Sequence, residues 1–254
     1  MSKPHLTKEF WLAGLRADGA AFRAAVGQDG ALAAQVPSCP GWTVEELVRH
    51  VGSMYAWVRR HVGRGVTDRP EPFRRTDDAP EGRALLDWWD ARYAELLARL
   101  DALDPGLPAW NPAPQAKRAD YWYRRMAHET ALHRWDAQMA VGLGEPIEAK
   151  LAADGVTEVL DTLLPGGQRK GPLDRSGMIA LHATDVEQVW YVRVRGGGTA
   201  LLDTDTLLDD LPHHERVVAA ATASDLLLSL WGRVRFDVLE VAGDTGLLEA
   251  LRTG

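Results

Sequence analysis

The chain has 254 residues, 46% hydrophobic and 26% charged, the proportions of a soluble globular protein with room for one large or two modest domains. Its net charge of −7, with arginines scattered along the sequence, argues against a nucleic-acid platform, which needs clustered positive charge to displace counterions. A polar start at residues 1–8, no apolar run near the roughly 18 residues that cross a bilayer, and a single cysteine, Cys39, argue against a membrane span, an internal disulfide or a cysteine-rich zinc module, and lead us to expect a cytoplasmic protein.

Thr7 is placed to cap a first helix with Phe10, Leu15, Phe22 and Val26 on its apolar side. A second helix starts after Pro40-Gly41-Trp42, where Thr43 and Glu46 fit a capping box ahead of Leu47, Val51, Met54 and Val58. Beyond a proline-rich, charged connection at residues 68–80, a third carries Leu86, Trp89, Tyr93, Leu96 and Leu100. Another proline-rich stretch, residues 105–114, leads to a fourth at residues 120–141. Four helices with apolar stripes predict a bundle, in which facing side chains build internal sites.

After Gly142-Leu143-Gly144-Glu145-Pro146 the pattern changes. A helix at residues 149–164 precedes strands at 178–183, 189–194 and 199–202, with Gly196 to Gly198 turning between the last two. A strand at 216–222, a helix at 224–231, a strand at 236–241 and a helix at 244–251 complete the chain. The expected organisation is a helical domain over residues 1–145 and a separate α+β domain over 146–254.

On the fourth helix, successive rotations of about 100° bring Trp122, Met126, Glu129, His133, Ala137 and Ala140 onto one face, with Asp136 at its edge and Arg124, His128 and Gln138 pointing elsewhere. A carboxylate on a core-facing stripe costs on the order of 5 kcal/mol unless it is paired or bound to a metal. Two compensations fit Glu129: an internal ion pair with Arg125 or a protonated His133, or a metal shared with His133, which is four residues on and can reach the same ion. The segment is not an HExxH site, because His128 and His133 are five residues apart and diverge by about 140°. A third metal ligand must come from another helix. His50, between Leu47 and Met54 on the second helix, is better placed than His5 near a helix entrance or His61 near an arginine-rich, exposed helix end.

The segment Val36-Pro37-Ser38-Cys39-Pro40-Gly41-Trp42-Thr43-Val44, with Leu47-Val48-Arg49-His50, resembles the N-terminal signature of the mycothiol-dependent maleylpyruvate isomerase family. Residues 121–137, containing His128-Glu129-Thr130-Ala131-Leu132-His133-Arg134-Trp135-Asp136, resemble that family's metal-binding helix. Ala223-Ser224-Asp225-Leu226-Leu227-Leu228-Ser229-Leu230-Trp231-Gly232-Arg233 and Val241-Ala242-Gly243-Asp244 are similar to its second domain. The resemblance implies a DinB-like four-helix bundle followed by a small α+β unit similar to sterol carrier proteins. It also implies a divalent metal, commonly zinc, held by His50, Glu129 and His133.

For function, the resemblance implies a mycothiol-dependent enzyme acting on a small electrophile, either as a maleylpyruvate isomerase or as a thiol S-transferase. A metal with three protein ligands keeps an open position where a thiol ionises readily, so no nucleophilic cysteine is needed. The alternative is a non-catalytic, metal-stabilised protein that binds a small molecule or lipid. Arg233 is the candidate catalytic residue, holding a substrate carboxylate or the thiol; the competing reading is a surface or interdomain salt bridge. Asp136 either orients a metal-bound histidine or is a solvated helix-edge residue. Cys39 reads as a buried, inert thiol beside a helix entrance, and Trp42, Trp122 and Trp135 as core or interface aromatics.

Overall fold

A computed structural model describes residues 6–76, 78–202 and 215–254, so His5 lies outside the described residues. These residues form two compact units, one running to Asn111 and including Ala116–Glu145, the other made of Pro112–Gln115 and Pro146–Gly254.

The first unit is built from α1 (Lys8–Val26), α2 (Val44–Val62), α3 (Ala84–Ala102) and α4 (Asp120–Ala140). Thr7 caps α1 by accepting from the Phe10 backbone N–H. The Thr43 side chain accepts from the Glu46 N–H while Glu46 accepts from the Thr43 N–H, the reciprocal box expected from their spacing. Acidic Glu45 and Glu46 at the start of α2 and basic residues at its end also complement the helix dipole. α1 packs against α4 and α2 against α3, closing over Leu15, Phe22, Leu47, Val51, Leu85, Trp89, Leu96 and Leu100.

α4 departs from the expected one-sided pattern. His128 is fully buried and Gln138 nearly so, although both lie off the stripe that carries Glu129. The helix is covered on several sides, and polar side chains there are matched internally. Arg134 donates to Asp18 of α1 at 2.9 Å and to Gln138 at 2.7 Å, and Tyr55 of α2 shares a 2.6 Å hydrogen bond with Thr130. A buried polar group that is hydrogen-bonded avoids most of its desolvation cost.

In the second unit, α5 (Ala149–Glu158) runs into a π-helical turn at Val159–Leu163 and packs against α6 (Ala223–Leu230). The sheet contains β1 (Ser176–Ala183), β2 (Gln188–Arg195), β3 (Gly198–Leu202), β4 (Glu215–Ala221) and β5 (Glu240–Gly243), in the order β3-β2-β1-β4-β5. β1 and β4 are parallel and the other neighbours antiparallel. Gly196 (φ 56°) and Gly197 close the β2–β3 hairpin, with Arg195 opposite Gly198.

The strand expected at residues 236–241 is divided. Phe236–Val238 is a 3-10 turn, and only Glu240–Gly243 pairs with β4. Phe236 and Leu239 are both buried, and their spacing of three is the repeat of a 3-10 turn rather than the alternation of a strand. Thr245–Leu251, expected as an α-helix, is also 3-10. Among the described residues, no helix is long and apolar enough to cross a membrane.

Candidate metal centre

The site starts from the packing of α2 on α4. The Tyr55–Thr130 hydrogen bond fixes how the two helices meet, and five residues before Tyr55 the imidazole of His50 faces α4 beside Glu129 and His133. Each of the three offers one ligand atom, and these atoms all lie within 4.8 Å of one another. Oε1 of Glu129 is 3.5 Å from Nε2 of His50 and 3.3 Å from Nε2 of His133, and the two imidazole rings meet edge to face at 5.1 Å.

Those separations are informative. A charge-assisted hydrogen bond brings nitrogen and oxygen to about 2.7–2.9 Å. Ligands placed about 2.0–2.1 Å from one tetrahedral ion sit roughly 3.3 Å from each other. At 3.3 and 3.5 Å the distances around Oε1 are within ion-pair range, longer than the shortest charge-assisted hydrogen bonds, and also suit atoms converging on a shared cation. Two imidazoles and a carboxylate form a donor set suited to zinc, and such a three-residue set leaves a coordination position open. The residues fit the group that the sequence resemblance implies.

The other oxygen of Glu129 has its own partner, since Arg125 donates to Oε2 at 3.1 Å from one turn earlier on α4. The ion pair and the cation site are thus compatible uses of one carboxylate. Burial alone would raise the Glu129 pKa; the imidazoles of His133 and His50 beside it, and the positive charges of His133 and Arg125, outweigh it and hold the carboxyl well below its usual range.

His133 is oriented from behind. Its Nδ1 lies 2.8 Å from Oδ2 of Asp136, and Asp136 also accepts from the Ser38 hydroxyl at 2.5 Å. Burial pushes the imidazole down, but the hydrogen bond to Asp136, the nearby Glu129 carboxylate and the negative charges of both raise it to about 9. The same negative field attracts a cation. Asp136 is fully buried, which overturns the solvated-edge alternative: its side chain is turned back onto His133 and Ser38 instead of outward. Ser38 was not singled out in the sequence, although it lies in the conspicuous segment before α2. Cys39 is partly buried, with Sγ 3.9 Å from Oδ2 of Asp136.

The wall beside His50 is aromatic. Trp42 lies 5.1 Å from the His50 ring and Phe73 lies 5.6 Å from it edge-on. Trp122 and Trp135 are core residues, whereas Trp42 is only half-buried. His61 is not exposed as its arginine-rich surroundings suggested. It is 4% exposed, packed against Trp57 and Trp122 with ring centroids at 4.2 and 4.7 Å, and remains outside the three-residue cluster. Arg233 follows α6 in the second unit, where its guanidinium donates to the Trp231 carbonyl at 3.1 Å and stands over the Trp231 ring.

Residues 12–138 match the sequence model for the mycothiol maleylpyruvate isomerase N-terminal domain, and residues 150–250 match the MDMPI C-terminal domain. Among solved structures, the chain is similar to the mycothiol-dependent maleylpyruvate isomerase, with 15% identity and a TM-score of 0.64. It is also similar to a histidine-to-alanine mutant described by the same name, with 15% identity and a TM-score of 0.63. Each alignment covers 97% of both chains, and at that identity the likeness is one of fold. A search of curated proteins gave no match.

Proposed function

The chain belongs to the mycothiol maleylpyruvate isomerase family, and on that premise we propose that it is a metal-dependent enzyme using mycothiol to isomerise, or to transfer the thiol onto, a small electrophile. The observation that carries the metal part is the convergence of His50, Glu129 and His133 at separations suited to one cation. A bound divalent cation, zinc in this reading, would act as a Lewis acid and favour the ionised form of a thiol at neutral pH.

The residues of the chain supply the rest. Glu129 contributes one negative charge and Arg125 holds its second oxygen, so the carboxylate keeps its orientation. Asp136 accepts the Nδ1 proton of His133 and leaves Nε2 directed at the centre. Trp42 and Phe73 flank the His50 ring with aromatic surface.

In the isomerase reaction, the thiolate sulfur adds to a carbon of the cis double bond and the π electrons move into the conjugated carbonyl. Rotation about the new single bond, return of the electrons and expulsion of the thiolate give the trans isomer. The thiol is regenerated, and no oxidant or reductant is consumed. Arg233 is proposed to hold a carboxylate or the thiol cosubstrate during this sequence.

The test joins metal and thiol. Metal content is measured on the purified protein, and mycothiol is titrated into the zinc-loaded protein and into the His50→Ala, Glu129→Ala and His133→Ala variants. Stoichiometric metal, thiol binding in the parent and loss of both in the variants are expected. A parent without metal would overturn the site. Metal without thiol binding would favour a metal-stabilised binding protein, and thiol binding without maleylpyruvate turnover would leave an S-transferase with another electrophile.

A further inference from the structure

The second unit contains a pocket built wholly from its own residues. A volume of about 420 Å³, within the range of small-molecule sites, is lined by the end of α6, the chain that follows it and the 3-10 segment Thr245–Leu251 with Arg252. Ser229, in the last turn of α6, is among the lining residues. It is fully buried, and among the described residues its Oγ has no hydrogen-bond partner. A helical serine can direct its hydroxyl to the carbonyl four residues earlier, but this one does not. Nε of Arg252, which lines the same pocket, is also buried and without a partner, while Nη1 of that side chain donates to Glu249 at 3.3 Å. Two hydrogen-bond donors are therefore left unused at one pocket, each at a cost to stability that a ligand would offset.

The charges that line the pocket are of both signs. Arg235 and Arg252 bring two cations, and Asp237 and Glu249 two anions. They pair in sequence, Arg235 with Oδ2 of Asp237 at 2.7 Å and Arg252 with Oε2 of Glu249, and in each pair the side chains are partly exposed. Among the described residues the second oxygen of each carboxylate accepts no hydrogen bond. Partly exposed ion pairs hold weakly, so these groups can turn to a ligand at little cost. Val234 and the buried Phe236 add apolar surface to the same lining.

We propose that this pocket binds a zwitterionic amino acid with an apolar side chain. A carboxylate is the acceptor-only group that the Ser229 hydroxyl and the Arg252 Nε–H call for. An ammonium group donates to the open oxygens of Glu249 and Asp237, and the side chain packs on Val234 and Phe236. A simple anion would meet the two acidic residues and a simple cation the two arginines, whereas a zwitterion complements both signs at once. The proposal goes beyond the reading of the metal centre and does not depend on it.

The test is calorimetric binding of leucine, leucinamide and N-acetylleucine to the full chain and to its Ser229→Ala and Arg252→Gln variants, with thermal unfolding measured alongside. The parent should bind leucine about tenfold or more tighter than either analogue, since each lacks one of the two charges. Ser229→Ala should weaken leucine by about ten- to a hundredfold, the equivalent of one hydrogen bond to a charged group. Its ligand-free thermal midpoint should hold or rise, because the deleted hydroxyl had no partner. Arg252→Gln should lose most of the preference for leucine over leucinamide. A parent that binds none of the three probes, or all three alike, would overturn the assignment. So would a Ser229→Ala variant that binds leucine like the parent with a lowered midpoint, the mark of a hydroxyl that serves only the fold. The His50→Ala variant should bind leucine as the parent does, so the failure of this site and the failure of the metal centre are read separately.

Discussion

Nδ1 of His133 and Oδ2 of Asp136, one turn apart on α4, share a 2.8 Å hydrogen bond inside the bundle, and Ser38 donates to the other oxygen of the same carboxylate. The pair fixes which imidazole nitrogen faces Glu129 and His50. Asp136→Ala should therefore lower metal affinity by about ten- to a hundredfold while leaving all three ligands present. Competition against a chromophoric chelator checks this. Affinity equal to the parent's would mean that the bond does not orient the ring.

Arg125 and Glu129 form a second relationship that is independent of any cation. The Arg125 side chain is 8% exposed and pairs with Glu129. Removing the charge with Glu129→Gln should destabilise the metal-free protein by about 1–3 kcal/mol, because a buried guanidinium loses one ionic partner. Adding Arg125→Met should recover much of that loss. Urea unfolding of both variants checks the coupling, and simple additivity would argue against it.

His61 makes stability sensitive to acid. Burial disfavours its charged form and lowers its pKa from 6.5 to about 4, despite the hydrogen bond between Nδ1 and the Trp57 carbonyl. The unfolded chain takes up a proton at this histidine as pH falls through about 6.5, whereas the folded chain resists until about 4. Stability is thus lost across that window, by about 3 kcal/mol at most. Against His61→Phe, the parent should lose more stability between pH 7 and pH 4.5; parallel losses in denaturant titrations would contradict the burial argument.

Gly52 sits two residues after His50, where a Cβ would run into the ring of Trp88 on α3. Gly52→Ala should cost about 1–3 kcal/mol through overpacking between α2 and α3. A shift in thermal midpoint checks it. If Trp88→Leu restores the midpoint in the alanine background, the clash is the cause.

Much of the bundle and one face of the candidate centre were legible in the sequence because they depend on local spacing. Thr43 and Glu46 specify the start of α2 at a separation of three residues, and Glu129 and His133 share a helix face at a separation of four. His50 was a reasoned third ligand, yet its meeting with α4 depends on interhelical packing, including the Tyr55–Thr130 contact.

Other features were decided by tertiary structure. Periodicity assigns one buried face to a helix, so His128 and Gln138 read as outward; coverage of α4 on several sides buries both. Asp136 read equally as solvated or as a support for His133, and only the approach of Ser38 and His133 distinguishes the two. Arg75 lay in a proline-rich connection with no periodic signal, and its place over Trp42 depends on how that segment is fastened to Ser53 and His50. Helical periodicity and capping are encoded by neighbours along the chain. Which helix covers another, and which loop closes beside a site, is set by packing among residues far apart in sequence.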